Sequence, residues 1–365
     1  MCIRDRAAAV VQEKNDGTGE ILSNIVSSQI EEHKEFGGIV PELAARAHVE
    51  KIEFIVRKAI KKSNVDINNL DGIAATAGPG LIVSLTVGLN IGKAIAGSLG
   101  KPFIAVNHLE GHALSPTINK KIEFPYLLLL ISGGHTQFLE VNGVNKYKRL
   151  GTTIDDALGE AFDKTAKLLG LEFPGGPKIE EYAKKGNENF FKLPKPILNR
   201  GGCNLSFAGL KTAVLKISQK LKNEKEKYHL AASFQKTINE ILYEKTRVAI
   251  EEFLKNKKNK INTFVIAGGV ASNLSIRKNL TELAKKNKFN PVFPPKNLCS
   301  DNAAMIAWAG IERYKINLID NLEFPSKARW PLDDSAPFLK GPAVSYTHLR
   351  AHETSLHLVC RLLLE

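Results

Sequence analysis

Short apolar runs alternate with stretches of helical periodicity along most of this chain. The run Tyr126–Ile131 (YLLLLI) is apolar at every position, which is typical of a strand buried on both faces. Phe138–Val141 follows it after a Gly-Gly turn, so the two runs predict a hairpin. Further strands are predicted at Asp71–Thr76, Pro102–Val106 and Thr263–Ala267, and helices are predicted up to Ala96, over Ala157–Leu169, over Leu230–Leu254 and from Asn273 onward.

Strand, glycine turn and helix follow one another in both halves of the chain. The first such strand runs into Gly78-Pro79-Gly80, and the strand Thr263–Ala267 ends at Gly268-Gly269. Repeated units of this kind predict an α/β fold with largely parallel sheets. Their similarity suggests two related lobes with a cleft between them.

The two ends of the chain do not match its body. Met1–Arg6 leads abruptly into Ala7–Val11, which is interpreted as the second half of a hairpin whose first strand is missing. Ser345–Glu365 follows a Pro/Gly-marked stop and carries three of the nine histidines. We interpret both ends as foreign sequence.

The formal net charge is +13, and about +12 of it belongs to the body, because Met1–Arg6 contributes +1 and the tail contributes zero. This balance favours a polyanionic partner, nucleic acid before membrane. A lysine-rich, well-solvated surface explains the same charge, and composition does not separate the two interpretations.

The cysteines and the apolar stretches indicate the cellular compartment of the protein. The four cysteines have no metal-ligand spacing and form no disulfide framework, which favours a reducing compartment. The first residues lack the apolar core of a signal peptide. The longest apolar stretch, Gly78–Gly100, contains Asn90 and Lys93, so we interpret it as a buried loop and helix. The protein is predicted to be cytoplasmic, with no membrane partner.

The segment Asn107–His112 (NHLEGH) is the strongest candidate for chemistry. Asn107 is a good helix N-cap, so His108 and His112 lie at i and i+4 on one helix face, where two imidazoles can converge on one metal ion. Glu110 points roughly to the other side, unlike the general base of a zinc protease. Two histidines satisfied by backbone carbonyls are the alternative interpretation.

A third metal ligand is offered by Asp301, which precedes the apolar helix Ala303–Gly310. It either caps that helix or places a carboxylate at the metal. Two histidines and one carboxylate leave coordination positions open and suit catalytic Fe²⁺ or Zn²⁺.

Three glycine turns at strand ends favour a nucleotide cleft. They lie at Ser132–Thr136, at Gly175-Gly176-Pro177 and at Ala267–Asn273, where backbone N–H groups can approach a phosphate or carboxylate. Asp163, on the predicted helix Ala157–Leu169, either bonds a ribose or an amide or is an exposed position.

The combination of motifs resembles a known family. NHLEGH, LISGGHTQ, IDDALGEAFDKTAKLLGL, FPGGP, LSFAGLKTA, VIAGGVASN and SDNAAMIAWAG occur in this order, with FGGIVPELAARAHVE and TAGPGL upstream and KARWPLDD at the close. Together they resemble the bacterial tRNA N6-adenosine threonylcarbamoyltransferases, once described as glycoproteases. The resemblance runs from about Ala7 to about Asp334.

The resemblance implies a two-lobed actin-like, sugar-kinase-like ATPase fold with a nucleotide cleft between the lobes. The expected division is a foreign leader at 1–6, a first lobe at 7–118, a second lobe at 119–300, a helix and tail returning to the first lobe at 301–340, and a foreign tail at 345–365. The implied activity transfers the threonylcarbamoyl group from threonylcarbamoyl-AMP to N6 of adenosine 37, in tRNAs that read codons beginning with A.

The resemblance assigns expected roles to those residues of this sequence that match the family's motifs. His108, His112 and Asp301 are expected to hold one divalent metal per subunit, Fe²⁺ as the first choice and Zn²⁺ as the second. The donor is expected to contact Leu130, Ile131, Ser132, Gly133 and Gly134, and its adenylate part Asp163, Gly176 and Asn273. Glu180 stands where many relatives carry an Asp that touches the ribose. Implied partners are tRNA, threonylcarbamoyl-AMP, a smaller inactive paralogue and a P-loop ATPase.

One departure from the family concerns the first strand. Relatives begin with a strand and a GIETSCDET-like loop, where this chain has Met1–Arg6. The departure predicts an exposed sheet edge and a loss of phosphate contacts.

Three other functions share parts of this pattern. A metalloprotease is disfavoured by the position of Glu110. A non-catalytic scaffold of the same fold does not need His108, His112 and Asp301 together. A small-molecule kinase needs phosphate chemistry at the missing first loop.

Overall fold

A computed structural model describes residues 5–28, 41–255 and 262–337. Nine strands are present in this part of the chain: Asp5–Glu13 (β1), Gly19–Ser28 (β2), Ile73–Gly78 (β3), Phe103–Asn107 (β4), Tyr126–Ile131 (β5), Thr136–Gly143 (β6), Lys146–Thr152 (β7), Asn262–Ala267 (β8) and Phe289–Val292 (β9). The α-helices among the same residues are Pro41–Ser63 (α1), Ile82–Leu99 (α2), His108–Leu114 (α3), Leu158–Leu168 (α4), Gly175–Ala183 (α5), Ala208–Ser218 (α6), Glu224–Leu254 (α7), Leu274–Lys286 (α8), Lys296–Cys299 (α9) and Ala303–Lys315 (α10).

The amino-terminal part of the fold contains two separate two-stranded sheets. β1 pairs antiparallel with β2, and β3 pairs parallel with β4. The same helix, α10, packs against all four strands, while α1 covers the first pair and α2 covers β3. Both pairs therefore lie in one layer, although no hydrogen bonds between described residues join them.

Helices cover both faces of β3. A Cβ at Gly92 of α2 would lie 2.8 Å from Ala75, and a Cβ at Gly310 of α10 would lie 2.5 Å from Ala74. Because neighbouring residues of a strand point to opposite faces, α2 and α10 lie on opposite sides of β3.

The second sheet has five strands in the order β7-β6-β5-β8-β9. β5, β8 and β9 are parallel, whereas β6 and β7 run antiparallel. The prediction of largely parallel sheets is therefore wrong for β6 and β7. The tight turns after β5 and β6 leave no residues for the crossover helix that a parallel pair needs. Its central strand β5 is buried at every position, which confirms the strand predicted from Tyr126–Ile131.

Most of the predicted elements are confirmed within a few residues at their ends. These are the strands at β3, β4, β5, β6 and β8 and the helices at α2, α4, α7 and α8. The start of the chain differs, because Ala7–Val11 belongs to β1 and forms the first half of a hairpin with β2. Asp5 and Arg6 are part of the same strand, and Arg6 is buried. The predicted tail at 345–365 lies outside the described residues.

The segment after α10 returns to β4. Asp320 forms a bridge to Phe103, its carboxylate accepts a hydrogen bond from the Ala105 N–H at 2.8 Å, and the Asn107 side chain donates to the Trp330 carbonyl at 2.9 Å. These residues thereby support the strand that leads into α3, the helix that carries the two candidate histidines.

The helix α2 is long and apolar enough to cross a membrane, and 28% of it is buried. It packs against β3 and against α1, as a helix of an α/β layer does. Gly78–Gly100 is therefore a loop and a helix of the fold, as interpreted, but the interpretation that this stretch is buried is wrong for most of α2.

Candidate metal centre

The short helix α3 carries both candidate histidines and begins directly at the end of β4. Asn107 has extended backbone angles and its side-chain oxygen accepts a hydrogen bond from the Leu109 N–H at 2.9 Å, which confirms it as the N-cap. The Tyr126 hydroxyl donates to the Ala113 carbonyl at 2.9 Å and ties the helix to β5. Every residue of α3 is buried, so its orientation is set by packing on both sides.

His108, His112 and Asp301 meet in a cluster whose ligand atoms lie within 4.8 Å of one another. The Nε2 atoms of His108 and His112 lie 3.2 Å and 3.0 Å from the same carboxylate oxygen of Asp301. Both imidazoles are fully buried, whereas the Asp301 side chain is 24% exposed. The cluster therefore has one open side.

The carboxylate of Asp301 is available because the neighbouring residue caps α10. Asn302 accepts a hydrogen bond from the Met305 N–H at 3.0 Å, and its amide donates to the Ser300 carbonyl at 2.8 Å. The alternative role of Asp301 as the helix cap is therefore wrong. The carboxylate points to the histidines instead.

The electrostatics of the cluster suit a cation. Burial lowers the pKa of His108 to about 4, so the ring is neutral at pH 7, as a metal ligand must be. Burial alone would raise the pKa of Asp301, but interactions that include hydrogen bonds from His108 and His112 hold this pKa well below its usual value. Two neutral imidazole nitrogens and one carboxylate oxygen fit a divalent metal with open positions.

The stability of the metal-free protein is expected to fall as the pH drops from 6.5 towards 4. In this window the unfolded chain binds a proton at His108 that the folded protein does not, because the pKa of the buried ring falls from 6.5 to about 4. The stabilising contribution of the neutral His108 ring is fully present above pH 6.5. Its loss lowers the free energy of unfolding by about 3 kcal/mol. Urea unfolding at pH 7 and pH 4.5 measures it, and His108→Gln should show a smaller loss. Equal losses in both proteins would contradict the assignment.

Glu110 lies on the opposite face of α3 and stabilises it. One of its oxygens accepts from Arg313 of α10 at 2.7 Å, and the other accepts from the Tyr147 hydroxyl and the Asn145 N–H, each at 2.9 Å. The Arg313 and Glu110 side chains are 7% and 1% exposed. Glu110 therefore fixes α3 to α10 and β7, and it is not the general base of a protease.

Two glycines from other segments pack closely against the backbone of the glycine turn after β5. A Cβ at Gly268, where φ is +97°, would lie 2.4 Å from the Ile131 carbonyl oxygen, and a Cβ at Gly159 would lie 2.7 Å from the Ser132 carbonyl oxygen. Gly133 and Gly134 have open space around them. Leu130 and Ile131 are completely buried and are paired within the larger sheet, so their contact with the donor stays a prediction.

The residues predicted to hold an adenylate form hydrogen bonds at the beginnings of α5 and α8. Asp163 accepts from the Gly175 N–H at 2.9 Å, next to Gly176, and Glu180 accepts from the Leu274 N–H at 3.0 Å. Asn273 caps α8 and donates to Gln235 at 2.8 Å. Asp163 is thus half-buried and bonded to a backbone amide, while the donor contacts of all these residues stay predictions.

Sequence reasoning missed two residues of this region. Asp155 accepts from the Phe207 N–H at 2.7 Å and from the Ser206 hydroxyl, so it joins the IDDALGEAF and LSFAGLKTA motifs. His135 lies close enough to the cluster for His108 to affect its pKa, which burial lowers to about 3. The sequence signal that could have identified His135 was its position in the SGGHT turn.

The fold is an α/β fold of the actin-like, sugar-kinase-like kind, which confirms the predicted fold class. HypF from T. kodakarensis has a similar fold, with a TM-score of 0.55 at 15% identity over 73% of this chain and 44% of that chain.

The family model described as tRNA N6-adenosine threonylcarbamoyltransferase matches residues 20–308. A protein of that name from Pelagibacter ubique is 65% identical over 93% of this chain and 95% of its own length. Another from Rhodospirillum rubrum is 50% identical over 92% and 94%. The chain belongs to this family of transferases, as its motifs predicted.

Proposed function

We propose that this protein transfers a threonylcarbamoyl group to N6 of adenosine 37 in tRNAs that read codons beginning with A. The observation that carries the proposal is the meeting of His108, His112 and Asp301, from distant parts of the chain, near His135 of the glycine turn after β5. Both features lie within the family match, and relatives of high identity carry the same transferase name.

In the proposed mechanism the protein holds the donor, threonylcarbamoyl-AMP, between the metal centre and the glycine turns. Backbone N–H groups at Gly133 and Gly134, which have open space around them, would bind the donor's phosphate and stabilise it as the leaving group. Asp163, Gly176, Glu180 and Asn273 would hold the adenylate part. Orientation of the carbonyl towards the adenosine amine lowers the barrier for attack.

His108, His112 and Asp301 would hold one divalent cation, with Fe²⁺ favoured over Zn²⁺. When bound, the metal supplies Lewis-acid polarisation of the donor's carbonyl group. The partly exposed carboxylate of Asp301 lies on the side of the cluster that a ligand can reach.

The net charge of +13 supports tRNA as the acceptor, since a basic surface attracts the phosphate backbone. A smaller inactive paralogue and a P-loop ATPase are proposed as further partners, and the cytoplasm is proposed as the compartment. These proposals rest on the family resemblance.

We expect the protein, supplied with threonylcarbamoyl-AMP and its partner subunits, to modify tRNA that contains adenosine 37. Mass spectrometry of the digested nucleosides detects the product, and tRNA with guanosine at position 37 is the control acceptor. Activity should fall steeply with added salt, because counterion release drives tRNA binding. Modified nucleoside in the guanosine control, or none in either tRNA, would contradict the proposal.

A non-catalytic scaffold of the same fold is the second candidate. It predicts that partner subunits carry the activity and that the metal cluster is dispensable. Reactions that contain the partners with and without this chain separate the two functions.

A further inference from the structure

Gln235 of α7 contacts Asn273, the residue that caps α8. The Asn273 side-chain nitrogen donates a hydrogen bond to the Gln235 side-chain oxygen at 2.8 Å. Gln235 is only 5% exposed and Asn273 only 6%, and a buried amide is costly unless its hydrogen bonds are made. Gln235 belongs to none of the motifs that indicated the donor site, so its role follows from its contacts alone.

A backbone group fixes the orientation of the Asn273 amide. The oxygen of this amide accepts a hydrogen bond from the Ile276 N–H at 3.0 Å, and a backbone N–H can only donate. The nitrogen of Asn273 is therefore on the side of Gln235, and Gln235 must present its oxygen to it. The backbone of α8 thereby determines which end of each amide faces the other.

Two further hydrogen bonds hold Gln235 in this orientation. Its side-chain nitrogen donates to the Asn239 side-chain oxygen at 3.2 Å, one turn further along α7. The Asn239 nitrogen donates in turn to the Ser275 hydroxyl at 2.8 Å. We call Gln235, Asn239 and Asn273 the amide chain. Because Asn273 and Ser275 both belong to the start of α8, the amide chain leaves that helix and returns to it.

The amide chain leaves part of the Asn273 side chain for a ligand. A side-chain amide offers two N–H groups and an oxygen with two lone pairs. Gln235 uses one N–H, and the Ile276 N–H uses one lone pair. Within the described part of the chain, one donor and one acceptor of Asn273 therefore stay available in a fixed orientation.

The start of α8 lies at the proposed adenylate site. Glu180 of α5 accepts a hydrogen bond from the Leu274 N–H at 3.0 Å, which places Asn273 beside the helix whose second residue is Gly176. These side chains are the ones proposed to hold the adenylate part of the donor. Gln235 supports the same site from the buried side of Asn273.

We propose that Gln235 is a positioning residue of the donor site, which fixes the Asn273 amide in the orientation that binds the adenylate part of threonylcarbamoyl-AMP. This role rests on the proposed function, because the adenylate contact of Asn273 is part of that proposal. Gln235 acts through Asn273 and does not touch the donor. An amide that is already ordered costs less entropy when a ligand binds, so the amide chain contributes to donor affinity and not to the transfer step.

Gln235→Met and Gln235→Glu test this role, with AMP as the probe because it carries the adenylate part of the donor. Methionine leaves the Asn273 nitrogen without its acceptor, so calorimetry with the full chain should show AMP binding weakened by about tenfold. Glutamate keeps an oxygen for Asn273, and Asn239 can turn its nitrogen towards the other oxygen, so affinity should stay within about threefold. In the nucleoside assay, Gln235→Met should raise the KM for the donor and leave kcat unchanged, as expected when ground state and transition state lose the same binding energy.

Two further variants separate this role from general destabilisation of α7. Thr237→Val changes a residue of the same helix that is also 5% exposed and whose hydroxyl donates to the Ser233 carbonyl at 2.8 Å, and it should bind AMP normally. Asn273→Ser keeps a helix cap but lacks the amide. In the Asn273→Ser background, Gln235→Met should cause no further loss of AMP affinity, since both residues act through one contact.

Different results would overturn this role and the proposed function. Equal AMP affinity of Gln235→Met and the unaltered chain would exclude the positioning role alone. The same conclusion would follow if Gln235→Glu lost as much affinity as Gln235→Met, or if the loss persisted undiminished in the Asn273→Ser background. An unaltered chain that binds no AMP would contradict the donor site of the proposed function, and the role of Gln235 would fail with it.

Discussion

His108→Ala is expected to abolish threonylcarbamoyl transfer, with a loss of at least about 100-fold, and to remove the bound metal. The imidazole is completely buried, and its Nε2 lies 3.2 Å from the Asp301 carboxylate. With one nitrogen ligand gone, His112 and Asp301 hold a divalent cation much more weakly, since loss even of an outer-shell partner costs about 10–100-fold in affinity. Metal analysis after dialysis and the nucleoside assay measure the two effects separately.

His229→Ala is the matched control for this experiment. His229 lies in α7, outside the cluster, where its Nδ1 accepts a hydrogen bond from the Asn187 N–H at 2.9 Å. This variant should retain metal and transfer, while circular dichroism should show that His108→Ala keeps its fold. Transfer at the normal rate by a metal-free His108→Ala protein would disprove the role of the cluster.

Arg313→Met is expected to lower the free energy of unfolding by about 3–5 kcal/mol, because it leaves the Glu110 carboxylate buried without its cation. The pair is almost completely buried, and its atoms lie 2.7 Å apart. Burial and the nearby Glu110 carboxylate raise the pKa of Tyr147 well above its usual value, so this hydroxyl donates to Glu110 and does not replace the lost charge. Urea unfolding measures the effect.

Lys315→Met provides a control on the same helix. Lys315 is 40% exposed and pairs with Glu13 and Glu312, so its loss should cost less than about 1 kcal/mol. The double variant Glu110→Gln/Arg313→Met should recover part of the stability, because it removes the uncompensated charge. If Arg313→Met were no more destabilising than Lys315→Met, the ion pair would not be what anchors α3 to α10.

Arg313→Met should also weaken metal binding in the folded protein. Glu110 lies in the same helix as both histidines, and Arg313 lies in the helix that follows Asp301. The ion pair therefore joins the two elements that bring the ligands together. This coupling gives the NHLEGH motif its physical explanation: one helix face offers two nitrogens, and the other face holds the helix in place.

Much of the local structure was predictable from the residues alone. The all-apolar run Tyr126–Ile131 predicts a strand buried on both faces, and in the structure it is the central strand of the larger sheet. Asn107 followed by two histidines four residues apart predicted both the cap and the metal-facing side of α3. Caps and periodic patterns are predictable because they depend only on residues that are a few positions apart in the chain.

The mixed order of the larger sheet was harder to predict from sequence. The tight turn after β5 was visible as Ser132–Thr136, but β7 is largely polar and β9 has only four residues, so their periodicity is weak. Their pairing depends on neighbouring strands, because an edge strand is stabilised by its partner more than by its own composition.

The sequence by itself determined the apolar strands, the Asn107 cap, the paired histidines and the family to which the chain belongs. Only the tertiary structure decided that Asp301 meets His112, 189 positions earlier in the chain, that Asn302 and not Asp301 caps α10, and that Glu110 pairs with Arg313. Local patterns encode contacts between residues a few positions apart, whereas contacts between distant segments depend on how packed layers place whole helices and strands.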